Sequence, residues 1–181
     1  MAVLAKHLIS KKGYKLLEEY VFQGKLPADL VDMKEKDRDA LFNNARISFS
    51  ARKFEQAASM CALLYFLNHR NPKYFELYGA CMIHMKKYDE AGQAFARAKF
   101  LDFKNPVYHF YLAQITEIQD GMKAARPAYK QIVQFCDHVQ DEHAPAVRKA
   151  ALQKLRGEAA GITEEKNTEE KENTEEREDA D

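Results

Sequence analysis

The sequence repeats one pattern of small and larger residues three times at a fixed spacing of 34. The small residues of the pattern are Ala45, Gly79 and Ala113, followed by Ala57, Ala91 and Ala125. The residues around them keep the same spacing: Phe54, Tyr88 and Met122, then Cys61, Phe95 and Tyr129, then Leu64, Ala98 and Ile132. Small residues where two helices must touch, repeated with this period, predict an array of helical hairpins.

The small residues allow the two helices of a hairpin to pack closely. A larger side chain there would force the helix axes apart, at a cost of roughly 1 to 3 kcal/mol. The pairs Asn71-Pro72 and Asn105-Pro106 are also 34 apart, and each should begin a hairpin, because asparagine caps free amides and proline suits the first turn. One hairpin cannot bury its apolar face alone, so three should stack and terminal helices should cover the ends.

The predicted fold class is all-α, with three tetratricopeptide (TPR) helical hairpins between terminal helices. The predicted segments are an N-terminal helix and connection (1–35), the three hairpins (36–138), a C-terminal capping helix (139–160) and a disordered acidic tail (161–181). The repeat helices are predicted at about 38–51, 54–69, 72–85, 88–102, 106–119 and 122–138. A last helix should begin at Pro145 and cover the open face of the array.

The N-terminal segment has an amphipathic pattern but no partner helix in the repeat. Its candidate apolar face consists of Leu4, Leu8, Leu16, Leu17 and Tyr20. This face could pack on the first hairpin as a cap or form the interface of a homodimer, and the sequence favours neither. Gly24 and Pro27 should end the segment. The residues expected to anchor the connection against the first hairpin are Leu26, Leu30 and Met33.

Charge is distributed unevenly along a chain whose net charge is zero. From Thr163 onward, ten acidic and three basic residues give a charge of −7, which leaves +7 for the rest. A block of like charge with few apolar residues cannot offset its ordering entropy, so a disordered tail is expected, with a solvated extension of the last helix as the alternative.

The chain lacks a nucleic-acid recognition motif, a membrane-spanning apolar run and a signal peptide, which favours a cytoplasmic protein.

No motif of the sequence points to catalysis. A glycine-rich phosphate loop, an HExxH zinc motif and a GxSxG nucleophile turn are all absent, so we expect neither an enzyme nor a bound cofactor. The six histidines lack the spacing of metal ligands. Cys61, Cys81 and Cys136 lie on apolar helical faces without a CxxC pair, and we interpret them as small core residues in a reducing cytosol.

The remaining candidate site is the concave groove that the first helices of the hairpins create. The residues expected to face it are Asp39, Phe42, Arg46 and Phe49 in the first hairpin, Lys73, Glu76, Ala80 and Ile83 in the second, and Val107, Phe110, Gln114 and Glu117 in the third. Five of them are large and apolar, and an exposed apolar patch rimmed by charges marks an interaction site. The alternative is that a terminal helix fills the groove. The matched lysines and asparagines that clamp a C-terminal carboxylate are absent, so an internal, extended, apolar segment is the expected ligand.

Residues 14–156 resemble the class II chaperones of bacterial type III secretion, the TPR family that guards hydrophobic translocator proteins. The strongest local match is LFNNARISFSARKFEQAASMCALLYFLNHRNPKY, which is similar to the first hairpin of that family. The stretch KYDEAGQAFARAKFLDFKNPVY in the second hairpin is a good TPR match but is less specific. Phe42 and Phe49 match two groove aromatics of the family, whereas Arg46 stands where a third is expected.

The resemblance implies a chaperone of the bacterial cytosol that binds a short, extended segment near the N-terminus of a hydrophobic translocator. Proline and leucine-like anchors of that segment would fill pockets in the groove, without ATP. Two other functions stay open at this point. One is a scaffolding adaptor that joins folded partners, and the other is assistance to a transcription factor, as some members of the family provide.

Overall fold

The structure is a computed structural model that describes residues 22–24 and 26–157. Its helices are α1 (Pro27–Leu30), α2 (Glu35–Ser50), α3 (Phe54–Leu67), α4 (Pro72–His84), α5 (Tyr88–Leu101), α6 (Pro106–Asp120) and α7 (Met122–His138). A last helix, α8, occupies residues 144–157. The described part of the chain contains no β-strand, and the all-α fold class is confirmed.

Two predictions fall on residues that the structure does not describe. They concern the candidate dimer face and the acidic tail from residue 161. The residues of that face are Leu4, Leu8, Leu16, Leu17 and Tyr20. Both the homodimer and the disordered tail therefore stay predictions.

Three helical hairpins form the body of the fold, as the 34-residue period predicts. The hairpins pair α2 with α3, α4 with α5, and α6 with α7. Their observed bounds agree with the predicted bounds to within three residues at every end, and α7 agrees at both ends. The largest difference is at α2, which begins at Glu35 instead of residue 38 because the acidic residues Glu35 and Asp37 suit a first helical turn.

The connection before the first hairpin contains a helical turn that the residue pattern did not predict. Pro27 begins α1 as its first residue, a position where proline loses no hydrogen bond. Ala28 is fully buried, whereas Leu26 and Met33, two of the three expected anchors, are only half-buried. The side chain of the third, Leu30, is outside the described part of the structure. The fully buried alanine of this connection, Ala28, is therefore not one of the expected anchors.

Asparagine caps begin the second and third hairpins, as predicted. The side-chain oxygen of Asn71 accepts a hydrogen bond from the backbone N–H of Lys73 at 3.1 Å. Asn105 accepts the equivalent bond from Val107 at 3.0 Å. In both cases proline follows as the first helical residue, so the cap and the fixed φ of proline act together at the helix start.

The first two hairpin turns share a backbone conformation that the residue pattern did not reveal. Arg52 and Lys86, 34 residues apart, adopt the left-handed region with φ of +60° and +59°. After Arg52, the N–H of Lys53 donates to the carbonyl of Ser48 at 2.9 Å, and the same bond recurs 34 residues later. These bonds satisfy carbonyl groups that a helix end leaves free. The repeat therefore extends to the turns.

The small residues of the repeat are buried where helices meet. Ala57, Ala91 and Ala125 are all fully buried. A Cβ added at Gly79 would lie 2.7 Å from the ring of Phe95, a separation that real Cβ atoms do not adopt. Glycine at this position is therefore required by the close approach of α4 to the ring on α5, which confirms the predicted reason for small residues.

The helices group into two compact units. Unit 1 contains the described residues up to Asp102, with α1 to α5, and unit 2 contains Phe103 to residue 157, with α6 to α8. The core of unit 2 joins all three of its helices: Ala113 from α6, Tyr129 and Ile132 from α7, and Ala144 from α8 are buried in one cluster. The predicted capping helix is thus part of the unit 2 core, and it begins one residue before Pro145.

The cysteines lie in these cores. Cys61, Cys81 and Cys136 are buried and none forms a disulfide, so the interpretation of all three as core residues is confirmed.

No helix among the described residues has the length and apolar character needed to cross a membrane.

Candidate functional site

The groove residues of the first hairpin include an aromatic pair. Phe42 on α2 lies with its ring centroid 5.2 Å from that of Tyr74 on α4, at an interplanar angle of 59°. Tyr74 is buried and Phe42 is half-buried. Because Tyr74 follows the cap at Asn71 within one helical turn, the start of the second hairpin positions the ring that supports Phe42. The exposed part of Phe42 is therefore held in a fixed orientation.

A three-ring cluster lies at the other end of α2. The rings of Phe54 on α3 and His84 on α4 are stacked in parallel, with centroids 4.3 Å apart. Phe49 meets both edge-on, at 5.5 Å from Phe54 and 5.4 Å from His84. Edge-to-face and offset-stacked pairs of this kind contribute about 0.5–1.5 kcal/mol each beyond their buried area. The cluster forms an aromatic surface made by three helices.

The remaining predicted groove residues of unit 1 are polar or smaller. Those that are exposed are Asp39, Arg46 and Lys73, and those that are half-buried are Glu76, Ala80 and Ile83. Arg46 lies between Phe42 and Phe49 on α2. Its exposed guanidinium gives the rim of the aromatic surface a positive charge.

The structure corrects the expected openness of the apolar groove residues. The sequence predicted an exposed apolar patch, and the five residues concerned are all half-buried: Phe42, Phe49, Ile83, Val107 and Phe110. For the three phenylalanines the reason is contact with rings of neighbouring helices, which the helical phase of a single helix does not show. Each phenylalanine therefore uses part of its ring for packing and keeps the rest exposed.

Unit 2 contains an open pocket of about 660 Å³ on the face predicted for the groove. The residues that line it are Phe110, Gln114, Glu117, Met122, Ala150, Gln153, Lys154 and Gly157. The first three were predicted as groove residues, and they lie on α6. The four residues from α8 were not predicted. Apolar groups from α6, α7 and α8 line one pocket, and the polar side chains of Glu117 and Lys154 are part of the same lining.

The contribution of α8 was missed because this helix leaves the register of the repeat. Adding 34 to Phe110, Gln114 and Glu117 gives residues 144, 148 and 151 as the next groove positions. Residues 144 and 151 are instead buried in the unit 2 core. The period that identified the hairpins therefore could not identify the wall of this pocket. The sequence signal that could have identified the pocket wall is the apolar face of α8. Residues 144 and 151 lie on that face, in the core, so the residues of α8 that line the pocket lie beside it.

A hydrogen-bonded ion pair lies at the pocket. The hydroxyl of Tyr129 donates to Oε2 of Glu117 at 2.5 Å, and Nζ of Lys154 donates to Oε1 at 2.9 Å. Burial raises the pKa of Glu117, but the hydrogen bonds from Tyr129 and Lys154 and the charge of Lys154 outweigh it, so the pKa lies below its usual value of 4.5. Burial and the bond to Glu117 raise the pKa of Tyr129 well above 10. At neutral pH the pair therefore holds one negative and one positive charge.

Phe110 and Val107 connect this pocket to the core of unit 2. The ring of Phe110 lies 5.7 Å from the ring of Tyr129 at 57°. Both Phe110 and Val107 are partly buried against the core cluster. The same tyrosine thus supports an apolar wall through its ring and the carboxylate of Glu117 through its hydroxyl. The side chains of residues 22–24 and 26–157 include no group of ligands suited to a metal ion.

The sequence matches no protein-family model and no curated protein sequence. Solved structures match the fold. A type III secretion complex from Aeromonas hydrophila matches with a TM-score of 0.71 at 16% identity, covering 82% of this chain and 98% of that chain. The translocator chaperone SycD of Yersinia enterocolitica matches with a TM-score of 0.66 at 19% identity, covering 73% and 97%. PcrH in complex with the chaperone-binding region of PopD matches with a TM-score of 0.64 at 19% identity, covering 71% and 96%.

This chain has the fold of the type III secretion translocator chaperones. Nearly the whole length of each solved chain is covered, so the likeness includes more than one hairpin. The fold implied by the resemblance of residues 14–156 is therefore confirmed. A likeness of fold does not identify the residues that bind a ligand, and the groove residues stay predictions.

Proposed function

We propose that this protein is a cytoplasmic chaperone that binds an extended apolar segment of a hydrophobic type III secretion translocator. The observation that carries the proposal is the pairing of this fold with apolar groove surfaces in both units. In unit 1 the surface is built on Phe42 and the cluster of Phe49, Phe54 and His84. In unit 2 it is the pocket beside Phe110. The proposed role contains no catalytic step.

The solved relatives give the class of ligand. SycD is described as a translocator chaperone, and PcrH was solved with the chaperone-binding region of PopD. For this chain, half-buried aromatic rings in fixed orientations suit apolar anchor residues of an extended peptide. Polar positions such as Arg46 and Glu76 between the rings suit the peptide backbone and keep the surface from aggregating in the absence of a client.

The energetics favour binding of moderate strength. Each fully buried apolar anchor contributes roughly 1.5–3 kcal/mol, and two or three anchors offset the cost of ordering an extended peptide to leave about micromolar affinity. Such a complex forms without ATP and can be released by export. Occupied in this way, the client segment could not assemble or insert into a membrane early.

The test is co-expression with hydrophobic translocator candidates encoded near the gene. Soluble client yield is compared for the native chain and for the double variant Phe42→Ala, Phe49→Ala, after circular dichroism has shown that the variant folds. A matched control is Ile47→Ala, which removes an apolar side chain of α2 that is 66% exposed and outside the predicted groove. We expect the native chain and the control to solubilise the client and the double variant to lose most of that yield.

Two other results would contradict the proposal. Equal yields with all three proteins would show that the predicted groove residues do not bind the client. No solubilisation by any of them, together with stable capture of a folded partner, would favour the scaffolding adaptor instead.

A further inference from the structure

The pocket of unit 2 lies where the described part of the chain ends. Gly157, the last residue of α8, is itself part of the pocket lining. Ala150, Gln153 and Lys154 line the pocket from the preceding two turns of the same helix. The residues that follow Gly157 therefore begin at the pocket.

The lining suits a short apolar segment without net charge. Phe110 and Met122 are half-buried and keep part of each side chain exposed. Glu117 and Lys154 are bonded to each other at 2.9 Å, so their charges cancel and the pocket selects neither an acidic nor a basic ligand. The volume of about 660 Å³ lies within the range of about 300–1,000 Å³ that is usual for ligand pockets, and it is more than one side chain fills.

The five residues after Gly157 have the composition that this lining requires. They read Glu-Ala-Ala-Gly-Ile, and Ile162 is the only large apolar residue between 158 and 181. The charged residue among them, Glu158, follows α8 directly, whereas charged residues dominate the sequence from Glu164 onward. A carboxylate in an apolar pocket would lose its hydration without gaining a partner. The part of the tail that suits the pocket is therefore 158–162.

The glycines of this region favour a return of the chain to the pocket over a longer helix. A continued helix would place Ile162 about 140° around its axis from Gly157, away from the pocket. Glycine is the least favourable residue in a helix after proline, so Gly157 and Gly161 both oppose that continuation. Five residues span about 17 Å at most, which keeps Ile162 close to the pocket lining.

The N-terminal segment also contains large apolar residues, but it is attached to the other unit. It joins the described part at residues 22–24, where the carbonyl of Gly24 accepts a hydrogen bond from the guanidinium of Arg70 at 2.9 Å. Both residues belong to unit 1. Residues 158–162 are attached to the pocket itself, so the connectivity of the chain favours them as the occupant.

We propose that residues 158–162 occupy the pocket of unit 2 when no client is bound, with Ile162 in contact with Phe110 and Met122. A segment linked directly to its site has an effective concentration in the millimolar range, which favours it over a free ligand. It covers apolar surface that would otherwise be exposed. A client segment then displaces residues 158–162, and this second step rests on the proposed chaperone function.

The occupancy is tested by methyl NMR of the full chain without any client. Isoleucine δ1 and methionine ε methyl groups are labelled in a deuterated protein, and the signals of Ile162 and Met122 are identified by their loss in Ile162→Val and Met122→Leu. We expect a nuclear Overhauser effect (NOE) between these two methyl groups. The absence of this NOE, with the Ile162 signal at the shift of an unfolded chain, would overturn the proposal.

Two further results would overturn the proposal by identifying another occupant. A NOE from Met122 to Ile9, the only isoleucine before residue 22, would identify the N-terminal segment. A mixture of chains labelled only on isoleucine with chains labelled only on methionine detects exchange between copies. A NOE between Ile162 and Met122 in that mixture would show that the occupant comes from a second copy of the chain.

A matched pair of variants tests the displacement. Ile162→Asp removes the apolar anchor, whereas Thr163→Asp adds the same charge one residue later and keeps the anchor. If the segment fills the pocket about two thirds of the time, Ile162→Asp should bind a synthetic segment of the client found by co-expression about threefold more tightly than the native chain does. Thr163→Asp should bind it as tightly as the native chain.

The displacement and the chaperone function can fail separately. Equal affinities of the native chain and Ile162→Asp, or a NOE between Ile162 and Met122 that persists at a saturating concentration of the client segment, would overturn the displacement. A failure to find any client would contradict the chaperone function alone, because the NOE is measured without a client.

Discussion

The predicted groove positions of the two units carry different chemistry at equivalent places in the repeat. Position for position, Phe42 in unit 1 corresponds to Phe110 in unit 2, and Phe49 corresponds to Glu117. Phe49 belongs to a cluster of rings without a formal ion pair. Glu117 is held by Tyr129 and Lys154 at the edge of an open pocket. The repeat therefore fixes where a side chain lies on its helix, whereas the residue type decides the chemistry of the position.

This difference separates the expected behaviour of the two units. Ring contacts depend little on salt or on acid, so the surface around Phe42 should keep its shape over a wide range of conditions. The pocket of unit 2 depends on the ionised state of Glu117, because its two hydrogen bonds are charge-assisted. The contrast can be tested through packing, through pH and through thiol access.

The largest effect should come from a methyl group added in unit 1. Gly79→Ala would place a Cβ 2.7 Å from the ring of Phe95, which is fully buried and cannot move aside. Overpacking costs about 1–3 kcal/mol, and the better helix propensity of alanine returns up to about 1 kcal/mol. We therefore expect a net loss of up to about 3 kcal/mol in the free energy of unfolding by urea.

Two comparisons make this result specific. Gly92→Ala on α5 adds a methyl group where no atom lies within 4 Å, so it should stabilise the protein by up to about 1 kcal/mol. In unit 2 the equivalent residue of Gly79 is already alanine, and Ala113→Gly should cost about 0.5–1 kcal/mol. A gain in stability for Gly79→Ala would show that the close approach to Phe95 is not rigid.

The period of 34 predicted the hairpins because packing of paired helices is decided locally. Small residues at a fixed spacing leave few ways to arrange two helices, and the caps at Asn71 and Asn105 mark where the helices begin. The turn at Arg52 could not be read in the same way, since arginine has no preference for a positive φ. The helical turn at Pro27 was missed because Gly24 and Pro27, three residues apart, fit the end of one helix as well as the start of another.

The candidate site was predictable only in part. The helical phase predicted groove positions for Phe42 and Phe110, but it could not show that each packs against a ring of a neighbouring helix. The pocket wall formed by α8 could not be predicted from the repeat, because Ala144 and Ala151 occupy the core instead of the groove. The position of a residue on its own helix can be predicted from the sequence pattern, whereas the contacts that it makes with other helices cannot.

A smaller effect is expected when the hydroxyl of Tyr129 is removed. Tyr129→Phe keeps the ring beside Phe110 but leaves Oε2 of Glu117 without this donor, at a cost of about 1–2 kcal/mol near neutral pH. The pKa of Glu117 is lowered in the folded state, so the stability that it contributes is present above pH 4.5 and is lost as pH falls below that value. The pKa of Tyr129 is raised, so its contribution is present below pH 10 and is lost as pH rises further.

The difference in stability between the native chain and Tyr129→Phe should therefore be largest between pH 4.5 and pH 10 and should narrow on both sides. Urea unfolding across this range measures it. Phe42→Leu in unit 1 is the comparison, since it changes a ring contact whose cost should stay nearly constant from neutral pH to below pH 4.5. If the stability difference between the native chain and Tyr129→Phe were also independent of pH, the two units would not differ in their response to pH.

The smallest expected effect concerns the rate at which the three cysteines react with a thiol reagent, and it involves no change in stability. Burial, with a contribution from Cys81, raises the pKa of the Cys61 thiol to about 12, and burial raises the pKa of Cys81 to about 11. Burial also raises the pKa of Cys136 in unit 2. The thiolate is the form that reacts with iodoacetamide, so all three should react slowly at neutral pH, and mainly through transient opening of the unit that contains them.

The order of labelling then compares the opening of the two units. Cys136 retains 8% exposure, whereas Cys61 and Cys81 are fully buried, so we expect Cys136 to react first and the two thiols of unit 1 to react together. Mass spectrometry of labelled peptides over time measures each site, with the urea-unfolded chain as the fully reactive control. If Cys61 reacted at the rate of the unfolded chain, the close packing inferred for unit 1 would be contradicted. If all three reacted at one slow rate, the units would open as a single cooperative structure, and the contrast between them would be one of binding chemistry alone.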